Sequence, residues 1–398
     1  MSSTVSTKKS GNAALYALTI GAFAIGLTEF IIMGLLPEVA SDLQISISSA
    51  GLLVTGYALA VAISAPFITV ATSKMKRKEL LIILMVLFIV GNAISALSQN
   101  YSVLMISRIL AALTHGSFFG VGSVIAADIV PKEKRAGAIA IMFVGLTLAN
   151  VLGVPIGTFI GQAFGWRSTF WTITGIGIIA LIGILLLVPK VKSSQTSLKQ
   201  ELSVLRKPRV HVALLMTVFG FGGVFTAFTY VAPILVDVTG FSSNAVPYIL
   251  VLFGIGTAVG NIVGGKLADK YLMGSLTGIL IILALVLALF TWTDQFKVLS
   301  LVTILVLGIA GFATVPGLQL NILNTAKEAP TLASTLNIAA FNLGNALGAY
   351  IGGLVIEEKI GGGLVAVPWV AAIVTAFGIL FTWISWRGQN RRLARSTQ

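Results

Sequence analysis

The sequence contains no cysteine among its 398 residues. That excludes a disulfide framework, thiol chemistry and cysteine-based metal centres. Histidine occurs twice, at His115 and His211, too far apart to suggest a shared metal ion. Charge is scarce: Asp, Glu, Lys and Arg make up 10% of the chain, against about 25% in soluble domains. There is no G-x-x-x-x-G-K-[ST] phosphate loop, so ATP is not expected to drive this protein. Gly254, Gly256 and Gly260 lack the strand–turn–helix setting of a nucleotide loop and read as packing residues. With no catalytic constellation in view, the expectation is a non-enzyme without metal or cofactor.

Apolar surface is what the chain has in excess. It is 57% hydrophobic, with a mean hydropathy of +1.00. Twelve spans are predicted, at about 12–36, 48–71, 79–98, 101–127, 136–163, 168–189, 211–236, 244–268, 275–293, 298–322, 332–356 and 364–386. Each is long enough to cross a ~30 Å hydrocarbon layer. Lipid leaves no partner for open backbone groups, so the spans are read as helices. A β-barrel would show short alternating strands instead of long unbroken runs. The first run follows Lys8 and Lys9, as a signal peptide would. It is too long for an h-region, and it is read as an uncleaved first helix. The class is an all-α polytopic membrane protein, with the lipid bilayer as its surroundings.

The net charge is +13, a value that could suit nucleic acid, but its placement argues otherwise. With the N-terminus in the cytoplasm, all 26 basic residues except Arg108, Arg167, Lys297 and Lys359 fall on the cytoplasmic side. This is the positive-inside pattern of membrane proteins. It accounts for the charge without nucleic acid and puts both termini in the cytoplasm.

The longest polar stretch, residues 190–209, divides the chain into a bundle of six spans at 1–189, a linker at 190–210 and a second bundle at 211–398. The halves look like a repeat. An offset of 196 maps Pro37 onto Pro233, Ser73 onto Asp269 and Gly157 onto Gly353. Six spans per half give both halves one orientation, a parallel repeat about the membrane normal.

The twelve spans, the central basic loop and the turn GKLADK (residues 265–270) resemble the major facilitator superfamily. Four stretches narrow the resemblance: TEFIIMGLLPEVASDL (28–43), HGSFFGVGSV (115–124), LTLANVLGVPIGTFIGQAFGWRSTF (146–170) and NIAAFNLGNALGAYIGG (337–353). They resemble the arabinose-efflux-permease branch of the twelve-span drug:proton antiporters, near sugar- and purine-efflux proteins. The resemblance covers nearly the whole chain. It implies two six-helix bundles of the major facilitator fold, a monomer in the bacterial inner membrane. Its partners would be protons and a small molecule that is sugar-, nucleoside- or drug-like, exported by alternating access. A proton symporter or uniporter importing a small polar solute is the alternative on the same fold.

Candidate residues follow from depth and polarity. Glu29 lies about seven residues, or ~10 Å, below the outer end of the first span. An acid at that depth is a functional candidate, here for proton coupling; a structural ion pair or a snorkelling side chain is the other reading. Arg108 sits at a similar depth in the fourth span, where the resemblance also places an arginine. A static salt bridge between the two is the competing account. His115 follows Arg108 at i, i+7, on nearly the same face. It suits a proton relay or a substrate hydrogen bond, and equally a helix–helix contact.

The resemblance implies a cavity, for which Tyr57, Phe225, Tyr230, Gln319, Asn321, Asn342 and Asn345 are candidates; interhelical packing is the alternative for each. It also implies cytoplasmic turns that latch the halves. Gly265, Asp269 and Lys270 carry that pattern in the second half. The first-half copy departs from it, leaving Lys74 and Arg77 with Asp128 as a possible acid. In the fifth span, Gly153, Pro155 and Gly157 resemble the antiporter signature, although Val154 precedes the proline. Close helix packing explains the same residues.

Overall fold

A computed structural model describes residues 3–72, 75–131, 135–190, 206–328 and 330–396. The helices are α1 (Ser3–Gly34), α2 (Leu36–Asp42), α3 (Ile47–Ala71), α4 (Arg77–Leu97), α5 (Tyr101–Asp128), α6 (Arg135–Leu148) and α7 (Val154–Phe164). They continue as α8 (Trp166–Leu187), α9 (Pro208–Phe228), α10 (Val246–Thr293), α11 (Lys297–Thr325), α12 (Pro330–Glu357) and α13 (Val367–Ser396). No strand occurs among the described residues. Large apolar side chains such as Phe67, Leu186 and Val298 stand exposed on the periphery, where lipid, not water, is the compatible solvent.

Eleven stretches are long and apolar enough to cross a membrane. One of them, Ser243–Thr293, has 51 residues, or ~76 Å of helix at 1.5 Å per residue. That is more than two bilayer crossings. It breaks at one residue, Tyr271 (φ −155°, ψ 81°), so it supplies two of the twelve crossings. The sequence predicted a gap between spans 244–268 and 275–293, and the break at Tyr271 falls within it, confined to that one residue. Ser275 Oγ donates to the Leu267 carbonyl at 2.8 Å, tying the two sides of the break together. Gly274 leaves room for the Tyr271 ring.

Prolines mark the other irregularities. The fifth crossing is α6 and α7 joined by a π-helical turn, Ala149–Gly153, with Pro155 in the first turn of α7. Proline cannot donate to the ladder, and a wider turn absorbs the defect. The first crossing breaks at Leu35 (φ −116°, ψ 10°), just before Pro37. The seventh breaks at Tyr230 (φ −108°, ψ 19°), just before Pro233. The two halves of the proposed repeat therefore bend at corresponding prolines.

Packing sorts the crossings. Among the first six, α1 lies on α6 and α8, α3 on α5, and α4 on α5 and α8. Among the last six, α9 lies on α12 and α13, and α10 on α11 and α13. The two sets meet where α3 packs on α12, and where α10 packs on α7 and the π turn.

The glycines of the fifth crossing form a stripe along α1. Gly145 faces Thr19 and Phe23, Gly153 faces Phe23 and Leu27, Gly157 faces Ile31, and Gly161 faces Leu35. At Gly145 even a methyl group would meet α1 backbone, with Phe23 N at 2.8 Å. The stripe seats α6 and α7 directly against the helix that carries Glu29.

Candidate functional site

Glu29 is buried in α1, 6% exposed. Three residues from other helices converge around it. His115 of α5 places Nε2 3.9 Å from Glu29 Oε2. Tyr57 of α3 lies on the other side of the imidazole, with its hydroxyl 3.3 Å from His115 Nδ1. Arg108 of α5 stacks its guanidinium 4.4 Å above the Tyr57 ring. The chain Glu29–His115–Tyr57–Arg108 is thus continuous, and each member is buried.

Arg108 is not where simple pairing would put it. Its Nη1 donates to the Thr28 carbonyl at 2.5 Å, one residue before the acid. Nε and Nη2 are buried without hydrogen-bond partners. The sequence expected the arginine at the depth of Glu29, and it lies there. The guanidinium takes the adjacent carbonyl and an aromatic face, a combination its planar, delocalised charge suits. Thr28 is itself fixed from α4: its hydroxyl donates to Asn92 Oδ1 at 3.0 Å, and Asn92 Nδ2 donates to the Phe88 carbonyl at 2.9 Å. Sequence reasoning missed Asn92, although a lone amide in an apolar span is a readable signal.

The second set of crossings reaches the same acid. Asn345 of α12 donates from Nδ2 to Glu29 Oε1 at 3.3 Å. Phe225 of α9 lies against Phe30, with ring centroids 5.9 Å apart. The other cavity candidates lie elsewhere. Tyr230 donates to the Ala349 carbonyl at 2.8 Å and packs against Gly51 and Gly353. Gln319 donates to Ser334 Oγ and accepts from Asn337, whose Oδ1 accepts from Thr217. Asn321 points Nδ2 at Met216 Sδ, 3.6 Å away. Asn342 donates to the Ile338 carbonyl of its own helix.

Among the described residues, three side-chain hydrogen bonds join the two sets. They are Asn345–Glu29, Ser48 Oγ to Glu357 Oε2 at 3.0 Å, and Gln162 Nε2 to the Ser243 carbonyl at 3.0 Å. All lie at mid-depth or toward the end of the bundle away from the chain termini. Gln162 also donates to Glu38 Oε1 at 2.9 Å, and burial holds the Glu38 carboxyl above the usual carboxylate range.

At the end that carries the termini, Arg77 pairs with Asp128 at 2.6 Å. Lys207 and Arg209 both pair with Glu328. Lys74 lies outside the described residues. Gly265, Asp269 and Lys270 sit in α10, with Asp269 and Lys270 exposed. The ion pair thus forms in the half whose turn departs from the family pattern.

Comparison with known proteins agrees with this architecture. The family model described as Major Facilitator Superfamily matches residues 18–337. The inner membrane transport protein YdhP of Escherichia coli K12 is 45% identical over 379 residues, 95% of this chain and 97% of that protein. The putative transporter AraJ of the same strain is 34% identical over 387 residues, 96% and 97% of the two chains. The crystal structure of a D-xylose–proton symporter superposes with a TM-score of 0.75, covering 93% of this chain and 97% of that one. At 16% identity that likeness concerns the fold alone.

Proposed function

The chain belongs to the Major Facilitator Superfamily, a transporter family and not an enzyme family, and from that premise we propose that it exports small molecules in exchange for protons. The membrane is the bacterial inner membrane, as the likeness to the inner membrane transport protein YdhP supports. The termini lie in the cytoplasm, as the positive-inside pattern supports. The working unit is a monomer whose two six-crossing halves, joined by the linker at 190–210, rock about the midplane.

One observation carries the reading: Glu29, an acid in the outer half of a crossing, is touched by both halves at once, through His115 and Asn345. Such an acid is costly in a membrane unless it is paired or protonated, which makes it a candidate for moving protons or ions. The seam bonds on the far side support a state closed to the outside. Opening that side would give Glu29 water and a proton. A neutral carboxyl is cheaper to enclose than a charged one, so protonation favours closure. Release of the proton on the cytoplasmic side then resets the site for substrate. Arg108, held by Thr28 and Tyr57, keeps a fixed positive charge near the acid throughout. Phe225 and Tyr57 are the cavity residues this reading favours for a neutral or weakly polar substrate.

Purified protein in liposomes containing a pH-sensitive dye tests the exchange. A panel of sugars, nucleosides and hydrophobic drugs is offered in counterflow. For an antiporter, the effective substrate moves protons in the opposite direction to itself. Protons moving with the substrate would establish symport instead, and flux indifferent to protons would establish a uniporter.

A further inference from the structure

We propose that Asn345 is the positioning residue through which the second half reads the protonation state of Glu29. This rests on the reading of Glu29 as the proton-carrying acid, and it takes Asn345 out of the substrate-contact class.

The chemistry is that of a carboxamide facing a carboxyl group. Asn345 is buried, 3% exposed. Its Nδ2 donates to Glu29 Oε1, while its Oδ1 is buried without a hydrogen-bond partner. A carboxylate only accepts; a carboxylic acid also offers one O–H. A charged Glu29 can take only the Nδ2 bond. A protonated Glu29 keeps its carbonyl oxygen as an acceptor for Nδ2 and adds an O–H that matches the unpartnered Oδ1. Asn345 can therefore hold the neutral acid by two bonds and the charged acid by one. The titratable groups around Glu29 are Tyr57 from α3 and Arg108 and His115 from α5; α12 and α9 bring Asn345 and Phe225, which do not titrate.

The position of Asn345 passes that difference on. Its neighbours Gly344 and Gly348 lie against the backbone of α9 at Gly222, so α12 and α9 move as one. Twelve residues further along α12, ~18 Å at 1.5 Å per residue, Glu357 accepts from Ser48 across the seam. One helix thus holds both the contact to the proton site and a closure contact. Opening the far side must break both. Asn342, three residues away, has an equally unpartnered Oδ1 but donates within its own helix. It serves as an internal control.

The chain has no native cysteine, so spin labels can be placed at Gln99→Cys and Glu358→Cys, exposed sites on either side of the seam. Electron-spin distance measurements in nanodiscs from pH 5 to 9 report the fraction with the far side open. The labelled parent is expected to open with a pH midpoint, and Glu29→Gln to lose it. Asn345→Ala and the near-isosteric Asn345→Asp are expected to abolish the response or move its midpoint by at least about one unit, a tenfold change in proton affinity. Asn345→Gln restores part of the response, and Asn342→Ala keeps the parent curve. A parent midpoint retained in Asn345→Ala and Asn345→Asp overturns the proposal, as does a parent whose distances ignore pH. A response surviving in Glu29→Gln instead overturns the assignment of Glu29 itself.

Discussion

Arg108 gives its hydrogen bond to the carbonyl of Thr28, at 2.5 Å, and its face to Tyr57, leaving Glu29 with a nearby cation but no direct ion pair. Lysine cannot reproduce that arrangement, because an ammonium is a compact point charge without a planar face. Arg108→Lys is therefore expected to lower pH-driven transport by about tenfold or more while leaving expression intact. Transport assays on matched amounts of reconstituted protein check this. A fully active lysine variant would reduce the role of Arg108 to charge alone.

Tyr57 makes two separable contacts, its hydroxyl to His115 and its ring to Arg108. Tyr57→Phe removes only the first. A net hydrogen bond is worth about 1 kcal/mol, so a loss of about fivefold in transport rate is expected. Tyr57→Ala removes both contacts and should cost far more. Equal losses in the two variants would mean that the ring contact contributes nothing.

Much of this constellation is legible in the amino-acid sequence. Glu29 stood out because acids are rare at that depth, and the topology put Arg108 level with it. The i, i+7 spacing put His115 on the same face as Arg108. What the sequence could not show was partner choice. Whether Arg108 prefers a carboxylate, a carbonyl or a ring depends on side-chain packing between helices, which no periodicity encodes. The reach of Asn345 across the seam is a contact between residues 316 positions apart, set by how two halves close. The extent of the break at Tyr271 was hidden for a related reason: residues 265–270 have turn-like composition, yet the chain stays helical through them and breaks at one residue inside the gap between the predicted spans 244–268 and 275–293.

The glycine stripe gives a stability prediction with its own control. Gly145→Ala would push a methyl group onto α1 backbone, which cannot yield as a side chain can. Overpacking of this kind costs about 1–3 kcal/mol. Gly120→Ala in α5 meets nothing within 4 Å and is expected to be neutral. Thermal unfolding in detergent should therefore fall for the first variant and hold for the second.

Asp294, at the end of α10, is buried with both carboxylate oxygens unpartnered, and burial raises its carboxyl to about 7. The folded state then binds a proton more tightly than the unfolded chain between about pH 4 and pH 7. Stability from this group is highest below that window and falls as pH rises through it. Asp294→Asn should raise the melting temperature by a few degrees at pH 8 and leave it unchanged near pH 4. A uniform shift at both pH values would point to a packing effect.

The central claim is that Glu29 carries the coupled proton, and Glu29→Gln in liposomes tests it most directly. The glutamine keeps the size and hydrogen-bonding capacity of the side chain but cannot exchange a proton. Substrate counterflow without a pH gradient is expected to persist, while transport driven by a pH gradient falls to the level of empty liposomes. Full gradient-driven transport in Glu29→Gln would contradict the account.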